Sequence, residues 1–328
     1  MNKPYSFLLA ACLLFSLPAA ALDHPGLAER RPAPGRFSLV ENGVPAAVVT
    51  DPADKRGVLI AAETLREDFA RVCGVKAPAQ GARALYAGTK DSPLIKRLAA
   101  EGRIDTTPLN GQYETYILQV TGDTVIIAGA DMRGTIYGIY EISEQMGVSP
   151  WYDWADVPVP HSADISLAAG TYTVPQPGVR YRGIFLNDEA PCLTSWVKNT
   201  YGTDYGDHRF YARVFELLLR LRANFMWPAM WGWAFYADDP ENSRTADEMG
   251  IVMGTSHHEP MARNHQEWAR RRRSSGPWDY TTNKKVLTQF FTEGIERAKD
   301  TEDLITIGMR GDGDAALGKE GVEANYIR

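Results

Sequence analysis

Three short apolar runs in this 328-residue chain each empty into acids. Gly183-Ile184-Phe185-Leu186 is followed by Asn187, Asp188 and Glu189. Ile251-Val252-Met253 leads to His257, His258 and Glu259, and Leu304-Ile305-Thr306-Ile307 leads to Arg310, Gly311, Asp312, Gly313 and Asp314. Runs of this kind are expected of strands buried on both faces, so polar chemistry begins where each strand stops. Asp188, Glu189, Glu259, Asp312 and Asp314 are therefore the chemical candidates. Cleavage of a glycosidic bond requires one protonated carboxyl to supply the leaving oxygen and one ionised carboxylate on the opposite face. Acids gathered at one mouth can have their proton affinities pushed apart by burial and mutual repulsion. Each acid taken singly could instead cap the helix that follows its strand. Three such strand ends beside His257, His258 and Arg310 favour a functional site.

A metal is not expected. His257-His258-Glu259 lacks the i, i+4 spacing by which a helix aims two imidazoles at zinc, and His265 falls in the following loop without restoring a ligand pattern. One histidine acting with Arg310 is better suited to hold an anionic or hydroxyl-rich substrate. Trp227, Trp231 and Trp233 offer either flat stacking surface for sugars or ordinary core packing.

The elements that must position these groups read as strand and helix in alternation. Ahead of them lies a small mixed α/β domain, residues 37–174. In it Ala46 to Thr50 and Ala84 to Ala87 read as strands, and Val58, Ala61, Ala62, Leu65, Phe69 and Val72 as a helix stripe ending at Gly74. Ser92-Pro93 reads as a helix start. Tyr113 to Val120 and Thr124 to Ala128 form a hairpin about Gly122-Asp123, and Asp131 caps a helix through Met146 in which Gly134 permits close packing. The aromatic segment Pro150 to Pro158 reads as a wedge between domains, and Thr173 to Gly178 as their boundary. From residue 179 to 328 the pattern is a β/α series with helix stripes at Phe210 to Leu221 and Val286 to Ala298. Its second and third strands are Ala223 to Met226 and Gly250 to Gly254, with a short helix from Thr245 to Met249. A (β/α)8 TIM barrel takes about 250 residues and only about 150 follow Gly178, so the expectation is the first half of a barrel in the front part of a longer protein. Unpaired edges of such a half should leave it unstable or inactive alone.

Residues 1–21 carry a lysine, a short apolar run and Ala19-Ala20-Ala21, the pattern of an export signal, with lipid attachment at Cys12 as the lesser alternative. A secreted or periplasmic location without membrane attachment after processing is expected, and residues 22–36 read as a linker. Cys73 and Cys192 lack disulfide or metal spacing and read as packing residues. A net charge of -6 excludes nucleic acid as partner. The basic run Arg270 to Arg273 reads as a solvated loop.

R-G-T-I-Y-G-I-Y-E-I-S from Arg133, P-W-Y-D-W-A-D-V-P, R-G-I-F-L-N-D-E, N-F-M-W-P-A-M-W, M-G-T-S-H-H-E-P-M and G-M-R-G-D-G-D together resemble glycoside hydrolase family 115, the xylan α-1,2-glucuronidases, from about residue 40 to Asp314. The resemblance implies a cofactor-free enzyme that removes glucuronic acid or its 4-O-methyl form from glucuronoxylan with inversion, and that forms a homodimer when full length. It places Asp188 or Glu189, Glu259 and Asp312 among the catalytic acids, with acid and base unassigned. Asn187, Trp227, Trp231, His257, His258, Arg310 and Asp314 fall beside them as substrate contacts. Two other readings stand: a hexosaminidase-like exo-glycosidase using the adjacent Asp188-Glu189, and a non-catalytic carbohydrate-binding fragment.

Overall fold

The computed structural model describes residues 24–228, 231–257 and 259–315, without the side chains of Arg272 and Asp314. The export signal with its alternative at Cys12, His258 and the chain after Ala315 thus lie outside the described residues.

The fold is mixed α/β. Strands β1 (Ala28–Glu29), β2 (Phe37–Glu41) and β3 (Val44–Pro45) precede β4 (Ala47–Val49) and helix α1 (Arg56–Cys73). The predicted apolar stripe of α1 is buried, and the helix stops where Gly74 turns left-handed at φ 80°. Next come β5 (Ala84–Thr89) and α2 (Pro93–Ala100), whose first turn is capped by Ser92. The hairpin β6 (Tyr116–Val120) and β7 (Thr124–Gly129) feeds α3 (Met132–Gln145), capped by Asp131 through the Gly134 amide at 2.8 Å. A Cβ on Gly134 would lie 2.2 Å from the Thr115 carbonyl oxygen, so this glycine does allow the helix to touch the sheet. Strands β8 (Ile165–Leu167) and β9 (Gly170–Thr173) are among those the sequence did not announce. β9 closes a five-stranded sheet in the order β4-β5-β7-β6-β9, and β8 joins β1, β2 and β3 in a second sheet.

The stretch read as a linker, 22–36, is partly folded. Ala28 and Glu29 pair with Leu167 and Ser166, and Leu27 is buried. Its proline and arginine content conceals one apolar anchor, which suffices because Arg36 also donates to the Leu27 and Ser166 carbonyls.

β10 (Gly183–Phe185), β11 (Phe225–Trp227) and β12 (Val252–Met253) form a parallel three-stranded sheet. Helices α4 (Cys192–Tyr201) and α5 (His208–Arg220) lie between the first two strands, and α6 (Phe235–Asp238) and α7 (Glu241–Met249) between the next two. Helices α8 (His265–Ser275) and α9 (Lys284–Ala298) follow. The basic run Arg270 to Arg273 is therefore helical rather than a loop. The fourth strand is reduced to a parallel bridge between Gly254 and Leu304, supported by the Met261 amide donating to Thr306. β10 is exposed, contrary to the expectation of burial on both faces, because among the described residues it pairs on one side only, with β11. Cys73 is buried, but Cys192 is exposed at the start of α4, so only the first is a packing residue.

One apolar core runs from Leu27 through Phe69, Tyr137, Phe215 and Met226 to Ala298, joining both parts of the chain. Two polar clusters pin that junction. Buried Glu114 accepts from Arg133, Arg182 and Asn224, each at 2.6 Å, and the last two residues stand immediately before β10 and β11. On the other side Arg220 of α5 donates to Asp68 of α1 and to Glu216, both at 2.8 Å, with its guanidinium over Tyr140 and Tyr152. The aromatic segment packs here as a wedge: Tyr152 donates to Glu216, and Trp154 packs against Trp196 and Phe210.

Removing one member of a buried ion pair leaves the other charge uncompensated. Arg220→Ala is expected to lower unfolding free energy by about 3–5 kcal/mol. Denaturant titration of the two proteins checks this, and a loss below about 1 kcal/mol would mean the pair does not hold the junction.

Candidate active site

The site begins at the C-terminal ends of β10 to β12. A Cβ on Gly183 would fall 1.7 Å from the Phe225 carbonyl oxygen, so only glycine lets β10 approach β11. The ladder continues as the Leu186 amide donates to the Trp227 carbonyl. Trp227 stands edge-on to Phe185 with ring centroids 6.0 Å apart, and lies so close over Gly254 that a Cβ there would meet its ring at 2.8 Å. Its half-buried ring is thus occupied in packing across the sheet.

Beyond β10 the acids separate by environment. Asp188 is 3% exposed and accepts three main-chain hydrogen bonds: from Trp231 at 2.7 Å, Gly232 at 2.6 Å and Trp233 at 2.9 Å. Its carboxylate binds the loop after β11 to the end of β10. Trp231 is left 64% exposed, whereas Trp233 is buried with its indole donating to Asp204. Glu189 is exposed and accepts from Asn187 at 2.7 Å. Its carbonyl receives the Leu193 and Thr194 amides, so the acid-bearing turn runs directly into α4.

Glu259 is 1% exposed. One carboxylate oxygen accepts from the His265 amide at 3.0 Å, and the other from the amide and hydroxyl of Ser256 at 3.3 and 3.2 Å. Burial raises its pKa to about 7, with those hydrogen bonds pulling part of the way back. A carboxyl that keeps its proton to that pH has the protonation of a general acid.

Helix α8 connects the strand ends. The His265 amide reaches Glu259 and its ring nitrogen Nε2 lies 2.9 Å from Asp312. Gln266 donates to the Trp231 carbonyl, and Arg270 to the Gly232 carbonyl. Asp312, half-buried, opens a single 3-10 turn, Asp312–Asp314. Arg310 is exposed, while its carbonyl accepts from Trp278. His257 is exposed after β12. The structure thus links Asp188, Trp231, Glu259 and Asp312 through α8, pairs Glu189 with Asn187 after β10, and commits Trp227 to the sheet. His258 and the Asp314 side chain fall outside the described residues.

His265 was missed because α8 was missed. Asn264-His265-Gln266-Glu267 carries the signal: an asparagine with a glutamate three residues on, and Glu267 does reach back to the Asn264 amide at 2.9 Å. Among the described residues no three His, Cys, Asp or Glu side chains come close enough together to hold a metal ion.

Comparison with known families matches residues 175–327 to glycosyl hydrolase family 115. A solved structure described as a family 115 4-O-methyl-α-glucuronidase with specificity for decorated arabinogalactans superposes with a TM-score of 0.77 at 35% identity, over 88% of this chain. A chitobiase of Flavobacterium johnsoniae superposes with a TM-score of 0.51 at 12% identity over 89% of this chain, a likeness of fold alone. This chain spans 38% of the first structure and 44% of the second. None of the curated proteins compared matches it.

Two outcomes follow from the buried acids. In Asp188→Asn an amide nitrogen faces main-chain donors, so stability should fall by about 1–3 kcal/mol. Hydrogen exchange of the Trp231 to Trp233 amides should quicken, and unchanged protection would remove the anchoring role. For Glu259 the folded pKa of about 7 exceeds the ordinary value of 4.5, so folding favours the protonated form. Its stabilising contribution is present below pH 4.5 and lost as pH rises through about 7. Relative to Glu259→Gln, the parent should lose roughly 3 kcal/mol across that window, read from unfolding at a series of pH values.

Proposed function

We propose, for a chain that belongs to glycosyl hydrolase family 115, that its site serves a glycoside hydrolase releasing glucuronic acid or its 4-O-methyl form from the α-1,2-linked side chains of glucuronoxylan. The observation that carries the reading is Glu259: a carboxyl buried at a strand end, holding its proton to about pH 7, and joined through His265 to a second acid, Asp312. Displacement with inversion needs one acid of this kind and one carboxylate able to activate water on the opposite face of the sugar ring. Glu259 takes the first role. Asp312 and Glu189, both more open to solvent, are the choices for the second.

In this reading Asp188 works through the loop it anchors, holding Trp231 out as a stacking surface. Arg310, His257, His258, Asn187 and Asp314 supply contacts to the uronate carboxylate and hydroxyls. The parallel strands β10 to β12 with the Leu304 bridge are taken as the opening of a (β/α)8 barrel, residues 179–328, and residues 37–174 as an accessory α/β domain. An exported, secreted or periplasmic location rests on the pattern of residues 1–21, and homodimer formation on the family resemblance.

A second substrate is favoured by one specific observation, since the 35% identical relative is described as specific for decorated arabinogalactans. The test offers the purified chain 4-O-methylglucuronoxylan and, separately, a glucuronic-acid-decorated arabinogalactan, and follows anomeric proton signals by NMR. Early appearance of the β anomer from xylan is the expected result. Release from arabinogalactan alone would replace the substrate, an α anomer first would replace the inverting mechanism, and no uronic acid from either would defeat the proposal for this chain.

A further inference from the structure

His265 is the first residue of α8, and no motif in the chain gives it a role. Its two polar ends face two different candidate acids. The main-chain amide donates to Glu259 at 3.0 Å, while ring Nε2 lies 2.9 Å from Asp312 Oδ1 and 2.9 Å from the amide nitrogen of Gly313. The ring is held edge-on to Trp278, whose indole donates to the Arg310 carbonyl at 2.8 Å. The segment from Arg310 to Gly313 is therefore fastened at its start by Trp278 and at its turn by His265.

We propose that His265 is the positioning residue that fixes the Asp312 turn against Glu259. This rests on the glycosidase reading and extends it by assigning a residue that neither substrate contact nor acid–base chemistry requires.

Nε2 offers a single in-plane hydrogen-bonding position. Carrying a proton, it donates to Asp312; without one, it accepts from the Gly313 amide. Both partners belong to the same turn, so gain or loss of the ring proton changes the bond but not the attachment. A lysine ammonium would reach as far but could only donate, and a serine hydroxyl, which can do both, is too short to reach the turn. The other attachment, to Glu259, is made by the backbone and is independent of the side chain. Substitution at 265 therefore removes this tie to the Asp312 turn while leaving the main-chain contact to Glu259 in place.

The full chain labelled with 15N separates the proposal from the activity it serves. In Asp312→Asn the His265 Nε2 resonance should move while those of His24, His161 and His208 stay. In His265→Phe the Gly313 amide should exchange at least tenfold faster. Uronic acid release by His265→Phe should fall at least tenfold, and His265→Gln, which keeps one donor and one acceptor, should regain most of it. An unmoved Nε2 in Asp312→Asn, or parental release by a folded His265→Phe, would overturn the proposal. Should His265→Phe fail to fold, the Asp312→Asn and His265→Gln arms decide. A parent that releases no uronic acid defeats the enzymatic reading, while the Nε2 shift and the Gly313 exchange still decide whether the tie exists.

Discussion

A carboxylate removed from water must recover its hydrogen bonds from the protein, and in this chain two such groups organise the loops around the site. Asp188 and Glu259 are both nearly inaccessible, and both find their partners mainly in main-chain amides. The difference is in geometry. Asp188 gathers short bonds of 2.6 to 2.9 Å from the loop after β11, whereas those to Glu259, 3.0 to 3.3 Å, are longer, and burial raises its proton affinity. The same residue class thus yields an anchor at one strand end and a carboxyl of raised proton affinity at another.

These loops can be exact only if the strands beneath them are. Their register is set from outside the parallel sheet, by Glu114, a residue of the first sheet's approach that binds the residues preceding β10 and β11. With β10 exposed and backed by so little, this buried acid and the Arg220 pair carry across the junction an alignment that the short strands could not hold alone. The part of the chain before β10 is in this sense a template for the parallel sheet beside it.

The part of the chain before β10 was largely legible in the sequence because its signals are local. The α1 stripe, the Ser92 and Asp131 caps and the hairpin each depend on residues a few positions apart. What the chain hid depends on distant partners. β1 and β8 are strands because they meet each other, and β10 is exposed because among the described residues only β11 pairs with it. α8 was hidden differently: four consecutive arginines overshadowed the Asn264 to Glu267 cap. At the site the acids announced themselves by type and place, but their environments did not, since three amides from residues 231 to 233 cannot be foreseen at Asp188.

Those amides have an evolutionary consequence. Asp188 recognises the backbone of residue 231 and not its side chain, and Gln266 likewise contacts only that residue's carbonyl. The exposed indole is mechanically uncoupled from its support. Another side chain could take its place without loosening the loop, whereas the neighbouring Trp233 ring is bound into the interior. A lineage carrying this framework could therefore replace the exposed ring at 231 through one codon, with little cost to folding.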